Sequence, residues 1–496
     1  MKKSIFNIIL IISISFNHAL SQNEIDALRY SQQNIYGTAK FSSMSGSFGS
    51  LGGDFSSLSY NPAGIGLYQN SEFTITPSFS LTESTSSLQN NQFTRNKIGG
   101  GFSSLGIIFR GNNQDNKWKR INIGVGWNKL SDYNNRYYTE SQNNTNSLAD
   151  FLLEEADGIS INNLNQFRSS LAFWTDLIDL SNNSTYIDSL DDGTINEWYA
   201  FDNGSYISHV NSLANKIKSQ DQISSGDMGE FVITLGSSYE ENIYLGITLG
   251  FPTIKYNSRA TYMESNFDDT KYNLKEFVYK ENISSIGDGV NLKIGSIIRI
   301  NENTKIGLSI HSPSYISMQE EYTTSIETRW ENGDSYTEIS PLGYFEYDII
   351  TRWKTIASIS RIFNNKFLIN AEIEQTDYSF TKMYSDYYAF DEENNAISEN
   401  YTLSTNMRIG AEAKLNPFNI RIGYGLYGSP YKNQEENTSE NYSVGIGANF
   451  GSIFYDISYT MSEKISNYAM YSSENNEVSN MENRTDYLLF TLGFRY

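Results

Sequence analysis

The last ten residues, 487–496, read YLLFTLGFRY; every second residue back from the end is Tyr496, Phe494, Leu492, Phe490 and Leu488, and between them lie Arg495, Gly493 and Thr491. A period of two marks a strand with unlike faces. The split recurs in Ile121, Ile123, Val125 and Trp127 against Asn122, Gly124, Gly126 and Asn128, and in Ile420, Ile422, Tyr424 and Leu426 against Arg421, Gly423 and Gly425. Opposite the apolar face lie glycines and charges, among them Lys293, Arg299, Glu372, Glu374, Arg408 and Glu412. A soluble exported β protein would turn the apolar face to its core. A membrane barrel would turn it to lipid and enclose the polar face around a lumen. Charge and glycine gathered on one face favour the barrel, and an aromatic final strand residue suits recognition by barrel-assembly machinery.

The other end of the chain agrees. Lys2 and Lys3 precede an apolar run, and Ala19-Leu20-Ser21 offers a small-residue cleavage site, so residues 1–21 are expected to be a signal peptide. Its removal takes two lysines and no acid, moving the formal charge from −21 to −23 and arguing against a nucleic-acid partner. With no cysteine there is no lipid attachment, disulfide or thiolate metal site. No later stretch is apolar enough for a spanning helix.

Connection lengths give a strand count. Short turns are expected at 111–118, 240–242, 301–304, 364–366, 416–418 and 450–452, and long outer loops at 82–97, 131–228, 266–270, 327–340, 385–401, 428–440 and 462–485. Together they join 14 antiparallel strands with both ends on the periplasmic side, an even number as in other such barrels. Residues 272–300 and 344–363 then each form one bent strand, interrupted at 284–289 and at Thr351-Arg352-Trp353. Splitting both instead gives 16 and inverts the loops that follow.

The segment 131–228 does not alternate. Ser147 can cap a helix bearing Leu148, Phe151 and Leu152 on one face, and Leu164, Phe167, Leu171, Trp174 and Ile178 recur at helical spacing, as do Ile207, Val210, Leu213 and Ile217. Such helices either pack on one another and on the rim, or leave a groove where an apolar molecule is first captured. Phe151, Phe167, Leu171 and Trp174 are the capture candidates. Acidic runs at Asp191-Asp192, Asp391-Glu392-Glu393 and Glu435-Glu436 read as solvated surface, with cation bridges to lipopolysaccharide as the sharper alternative.

Residues 22–70 precede the first strand and are rich in serine and glycine, so they can be threaded inside a barrel as a hatch, with 71–496 as the barrel itself. Within them, Asn61 can cap a short helix that Pro62 opens. The run MSGSFGSLGGDFSSLSYNPA at 44–63, followed by alternating strands and an aromatic end, resembles the FadL/TodX family of outer-membrane transporters of hydrophobic compounds. The resemblance is close over 37–80 and topological elsewhere. It implies a 14-stranded all-β transmembrane barrel plugged by a hatch whose Asn-Pro-Ala triplet matches Asn61, Pro62 and Ala63, with Asp54 similarly placed upstream. His311-Ser312-Pro313-Ser314-Tyr315 is similar to the family's Ser-Pro segment, whereas Thr351-Arg352-Trp353 departs from its Thr-Pro-Trp. The implied activity is passive uptake, without a cofactor, of an apolar small molecule such as a fatty acid or hydrocarbon by a monomer in the outer membrane of a diderm bacterium. The ligand is captured by outer loops and released past the hatch or through a lateral opening.

Other classes stay open at this point. An outer-membrane lipid hydrolase or a haem receptor would have to use His209 or His311, the histidines left after signal removal. His311 shares its alternation with Lys305, Gly307 and Ser309, which places it in the lumen near Ser312 and Ser314. A surface or adhesion barrel would need no path at all.

Overall fold

The computed structural model describes residues 23–111, 117–143, 146–181, 185–189, 195–200, 205–268, 273–432, 437–471 and 478–496. The expected signal peptide and the acidic runs Asp191-Asp192 and Glu435-Glu436 lie outside the described residues. Fourteen antiparallel strands close into a transmembrane barrel. In chain order they are β1 (Glu72–Leu88), β2 (Asn91–Arg110), β3 (Trp118–Asp132 and Asn135–Asn143), β4 (Lys216–Tyr239), β5 (Ile243–Ser265), β6 (Leu274–Asn301) and β7 (Thr304–His311 and Tyr315–Trp330). The circuit continues through β8 (Gly343–Ile350 and Lys354–Phe363), β9 (Phe367–Asp377 and Lys382–Tyr384), β10 (Leu403–Leu415), β11 (Phe418–Tyr427), β12 (Ser439–Asn449), β13 (Ile453–Ala469) and β14 (Val478–Arg495). β14 pairs back onto β1 from Glu72↔Arg495 to Ser87↔Asn480, leaving no edge there. Closure matters because an unpaired backbone group in hydrocarbon costs several kcal/mol.

The two faces take the sides that the alternation predicts. Ile121, Ile123, Ile420, Ile422, Phe490 and Phe494 are exposed on the outer surface, while Lys293, Glu372, Glu374, Arg408, Glu412 and Arg421 are buried in the lumen. Among the described residues, the short turns at 240–242, 301–304, 364–366, 416–418 and 450–452 fall where expected. The one between β8 and β9 places both Asn364 and Asn365 at positive φ, the twist that joins antiparallel strands tightly.

Several outer boundaries differ from the sequence reading. The expected loop at 82–97 is a protruding hairpin, with β1 running to Leu88 and β2 starting at Asn91. The connection expected at 131–228 shrinks to 144–215, since β3 continues to Asn143 and β4 begins at Lys216. β6 is unbroken through 284–289, pairing on one side with β5 and on the other with β7. β8 does break at 351–353, but β7 breaks beside it at 312–314 and β9 at 378–381. The rim is oblique: β4, β5 and β6 have 24, 23 and 28 residues, whereas β11 and β12 have 10 and 11.

In the outer insertion, the helix Leu148–Ala156 forms as predicted, with Ser147 as its cap. The lumenal carboxylate of Glu264 on β5 also holds its first turn, accepting from the Leu148 amide and the Ser147 hydroxyl at 2.8 and 2.7 Å. Only Ser169–Trp174 of the second expected helix is helical, and Ile178 belongs to a short strand. The third expected helix is absent: Ile207 is in a strand, Asn211 turns the chain, and Ile217 already belongs to β4.

Candidate functional site

Residues 23–68 pack against lumen-facing side chains and glycines of the wall, and this segment, the expected hatch, takes its shape from short caps. Asp54 accepts from the Ser56 amide (2.9 Å) and the Thr38 hydroxyl (2.6 Å), opening a 3-10 turn over Phe55–Ser59. Burial pushes the Asp54 carboxyl above its ordinary range, against the pull of Lys40 and of these donors. Asn61 opens a second 3-10 helix, Pro62–Leu67, by accepting from the Ala63 amide at 3.1 Å. Its amide nitrogen meanwhile donates to the Gly49 carbonyl at 2.6 Å and to wall carbonyls of Ser296 and Leu308 at 3.2 and 3.4 Å. One side chain thus caps a helix, ties two hatch turns together and fixes both to β6 and β7. Only bare wall lets it sit so close. A Cβ at Gly295 would overlap the Asn61 side chain, and one at Gly246 the Pro62 carbonyl. The glycines of the lumen face therefore seat the hatch.

Directional bonds to the wall surround this seat. The Gly49 amide donates to Glu372 at 2.6 Å, the Ala39 amide to Thr491 at 2.7 Å and the Ser45 amide to Ser443 at 3.0 Å. Glu372 and Glu374 both pair with Arg408 at 2.7 Å, whose guanidinium lies 5.6 Å over the Tyr60 ring. His311 is buried, its Nε2 2.8 Å from the Tyr60 carbonyl. The nearby hydroxyls serve elsewhere: Ser314 accepts from Asn291, and Ser312 accepts from the Leu292 amide.

Outward of the hatch the lumen changes character. Helix α1 (Glu24–Ser31), capped by Asn23, runs into an apolar chamber formed with Leu130, Tyr256, Met318, Tyr347, Phe390 and Tyr401. Tyr30 meets Tyr133 and Tyr256 edge-on at 6.2 Å, and Tyr401 of the outer wall donates to the Glu24 carbonyl at 3.0 Å. The hydroxyls of Tyr133 and Tyr347 are buried there without a hydrogen-bond partner among the described residues. This region is held chiefly by non-directional contacts, alongside the Asp26–Arg29 ion pair of α1. Its aromatics are scattered through the sequence, so no motif announced it.

The chamber adjoins a gap in the wall. The ladder between β2 and β3 runs only from Ser104↔Asn128 to Arg110↔Asn122. Beyond it β3 turns inward. Its outer half stays paired with β4, while the hydroxyls of Ser84 and Ser86 on β1 donate to the Asn135 side chain and the Tyr138 carbonyl. Among the described residues, the outer half of β2 has no ladder partner on that side. Behind this gap lies the extended hatch strap 32–37. The Ser131 hydroxyl donates to the Gln32 carbonyl at 2.9 Å, the Asn34 amide to the Leu130 carbonyl at 2.8 Å, and the Gly37 amide to the Ser103 hydroxyl at 2.8 Å. The strap thereby bridges β3 to β2 from inside.

The four capture candidates do not share one surface. Leu171 is buried among Leu148, Leu152 and Phe277, and Phe151 packs at the edge of that cluster under Arg168. Phe167 stacks on Tyr322 at 4.7 Å, and Trp174 is exposed beside Phe173.

No family model matches this sequence, and no curated protein matches it in sequence. Solved structures do share the fold. A FadL homologue of Pseudomonas aeruginosa superposes with a TM-score of 0.54 at 9% identity, covering 94% of this chain and 99% of that one. The toluene transporter TodX of Pseudomonas putida gives 0.50 at 9% identity, covering 94% and 99%. The toluene transporter TbuX of Ralstonia pickettii gives 0.50 at 11%, covering 94% and 100%. At such identities the likeness is one of architecture.

Proposed function

We propose that this barrel is an outer-membrane channel of a diderm bacterium for passive uptake of hydrophobic small molecules. The need is physical: a water-filled pore does not dissolve an apolar solute, so its route must be lined by apolar surface and must deliver it to lipid. The observation that carries the reading is the β2–β3 gap, closed from within by strap 32–37 and reached from the aromatic chamber. A solute taken up by the outer loops, where of the four candidates Trp174 is the exposed one, enters the chamber in place of α1 side chains. Displacing α1 pulls on the strap, which continues directly from it, and frees the gap toward the bilayer. Asn61, Pro62, Ala63 and Asp54 hold the rest of the hatch still, so that the strap moves and the plug does not. The neighbours support the reading, since two of them are described as toluene transporters. Transport needs no catalytic group, and His311 serves the hatch here by facing the Tyr60 carbonyl. The reading carries with it assembly by barrel machinery, lipopolysaccharide around the outer rim, and a single copy as the working unit.

The chain has no cysteine, so a double substitution Asn34→Cys with Leu130→Cys can form a single bond locking strap to wall. In proteoliposomes, transfer of a fluorescent long-chain fatty acid or of toluene is expected to stop on oxidation and to return on reduction. Equal transfer in the two states would remove the strap from the route.

A further inference from the structure

The wall is interrupted a second time, at a place the uptake route does not use. β7, β8 and β9 break side by side at 312–314, 351–353 and 378–381. The break in β7 stands eight residues from the periplasmic turn. At a rise of about 3.3 Å per residue and a tilt of about 40°, that puts it roughly 20 Å up an apolar band about 25 Å tall. Irregular backbone facing hydrocarbon is not tolerated, so three adjacent breaks belong at the outer interface, level with headgroups. Side chains there agree: Trp353, Phe380 and Tyr384 are exposed around the notch, as aromatics at a membrane boundary are. Among them sits Arg352. Its guanidinium lies 5.3 Å over the Phe380 ring, its Nε is buried without a hydrogen-bond partner among the described residues, and Asp377 lies near enough to attract it without forming an ion pair.

Directly below the notch the lipid face is concave. Two apolar depressions of about 590 and 410 Å³ share Ala357 and Ile373, so they form one continuous trough across β5 to β11. The trough is deep where the wall residues are small, at Ala357 and Ala371, and is walled by Ile306, Ile359 and Met407. Thr355, two residues beyond Trp353 on the same strand face, lines its notch end.

We infer that notch and trough form a binding site for an anionic membrane lipid, with its phosphate on Arg352 and an acyl chain laid over Ala357 and Ala371. The occupant follows from the chemistry. A concave apolar surface facing the bilayer is filled by a hydrocarbon chain, and an unpaired guanidinium at headgroup depth takes a phosphate, which its planar fork fits. The trough faces lipid, whereas Arg352 also lines, with Ser31, Gln33, Lys293 and His311, a small cavity on the lumen side of the notch, so experiment must separate structural lipid from cargo.

The test is native mass spectrometry of the full-length barrel released from nanodiscs of phosphatidylcholine and phosphatidylglycerol in equal parts. Phosphatidylglycerol stands in for the anionic lipid anchor of lipopolysaccharide at that depth, and wild type is expected to retain it preferentially. Arg352→Gln should weaken that preference about tenfold, the worth of one charge-assisted bond, without losing phosphatidylcholine. Ala371→Leu, which fills the trough, should reduce retention of both lipids, with Ala357→Leu as a second filling variant should the first fail to assemble by heat-shifted gel mobility. Equal retention of the two lipids by wild type, or an unchanged preference in Arg352→Gln, overturns the site. So do Arg352-dependent retention of added oleic acid in place of phosphatidylglycerol, which would mark cargo, and a dimer that protects the trough, which would mark a second copy as occupant.

Discussion

The inner and outer halves of the lumen are filled by different means. Around the hatch, apolar clusters about Phe41, Phe48, Phe55, Leu58 and Ile65 are crossed by many directional bonds: amides of Ala39, Ser45 and Gly49 reach wall side chains, and Asn61 joins two strands to two turns. Around α1 the contacts are chiefly ring edges and methionine, with the Asp26–Arg29 ion pair and one hydrogen bond from Tyr401, and the Tyr133 and Tyr347 hydroxyls have no partner among the described residues. A hydrogen-bonded plug can be exchanged only for something with the same donors in the same places. An aromatic cluster can be exchanged for any apolar body of similar volume. One half is built to stay and the other to be replaced.

That contrast can be broken most severely at Arg408. Arg408→Met leaves Glu372 and Glu374 buried without their shared cation, and a loss of about 3–5 kcal/mol is expected from stripping one partner of a buried pair. Urea unfolding followed by tryptophan fluorescence would measure it, and a loss under about 1 kcal/mol would show that water reaches the hatch seat and that directional bonding there is not enclosed. Asn61→Ala should cost less, about 1–2 kcal/mol for a lost cap and bridge. Its signature is local: hydrogen exchange should quicken in 49–67 while α1 is unaffected, and quickening across both would mean the halves open as one unit. The smallest effect is expected at Tyr347→Phe. Removing a buried hydroxyl that has no partner should leave stability unchanged or raise it by up to about 1 kcal/mol, and apolar ligands should bind slightly tighter by calorimetry. A clear loss of stability would reveal that the chamber is polar and wet after all.

What the sequence could disclose followed from how local each cause is. The lipid and lumen faces were legible because a strand's two sides are written in alternate residues, and the Asn61 cap because it acts within two residues of itself, whereas the equally local Asp54 cap went unread. The strand number was legible from the short turns. The inward turn of β3 was not, since Tyr133-Asn134 carries no proline or glycine and the partners that draw the strand in are Ser84 and Ser86, some fifty residues earlier. Neither was the seat of the hatch: Gly246 and Gly295 look like any lumen glycine until Pro62 and Asn61 lie against them. The spacing of Ile207, Val210, Leu213 and Ile217 misled because a short strand, a turn and the start of β4 happen to place apolar residues three and four apart.

The oblique rim has a consequence for direction. With β4 to β6 more than twice the length of β11 and β12, the barrel resembles a quill cut on the slant, whose mouth looks across the cell surface instead of away from it. For an uptake channel of the kind proposed above, molecules dissolved among surface sugars and lipids would meet it edge-on, on the low side, while those arriving from open water would meet the tall wall first.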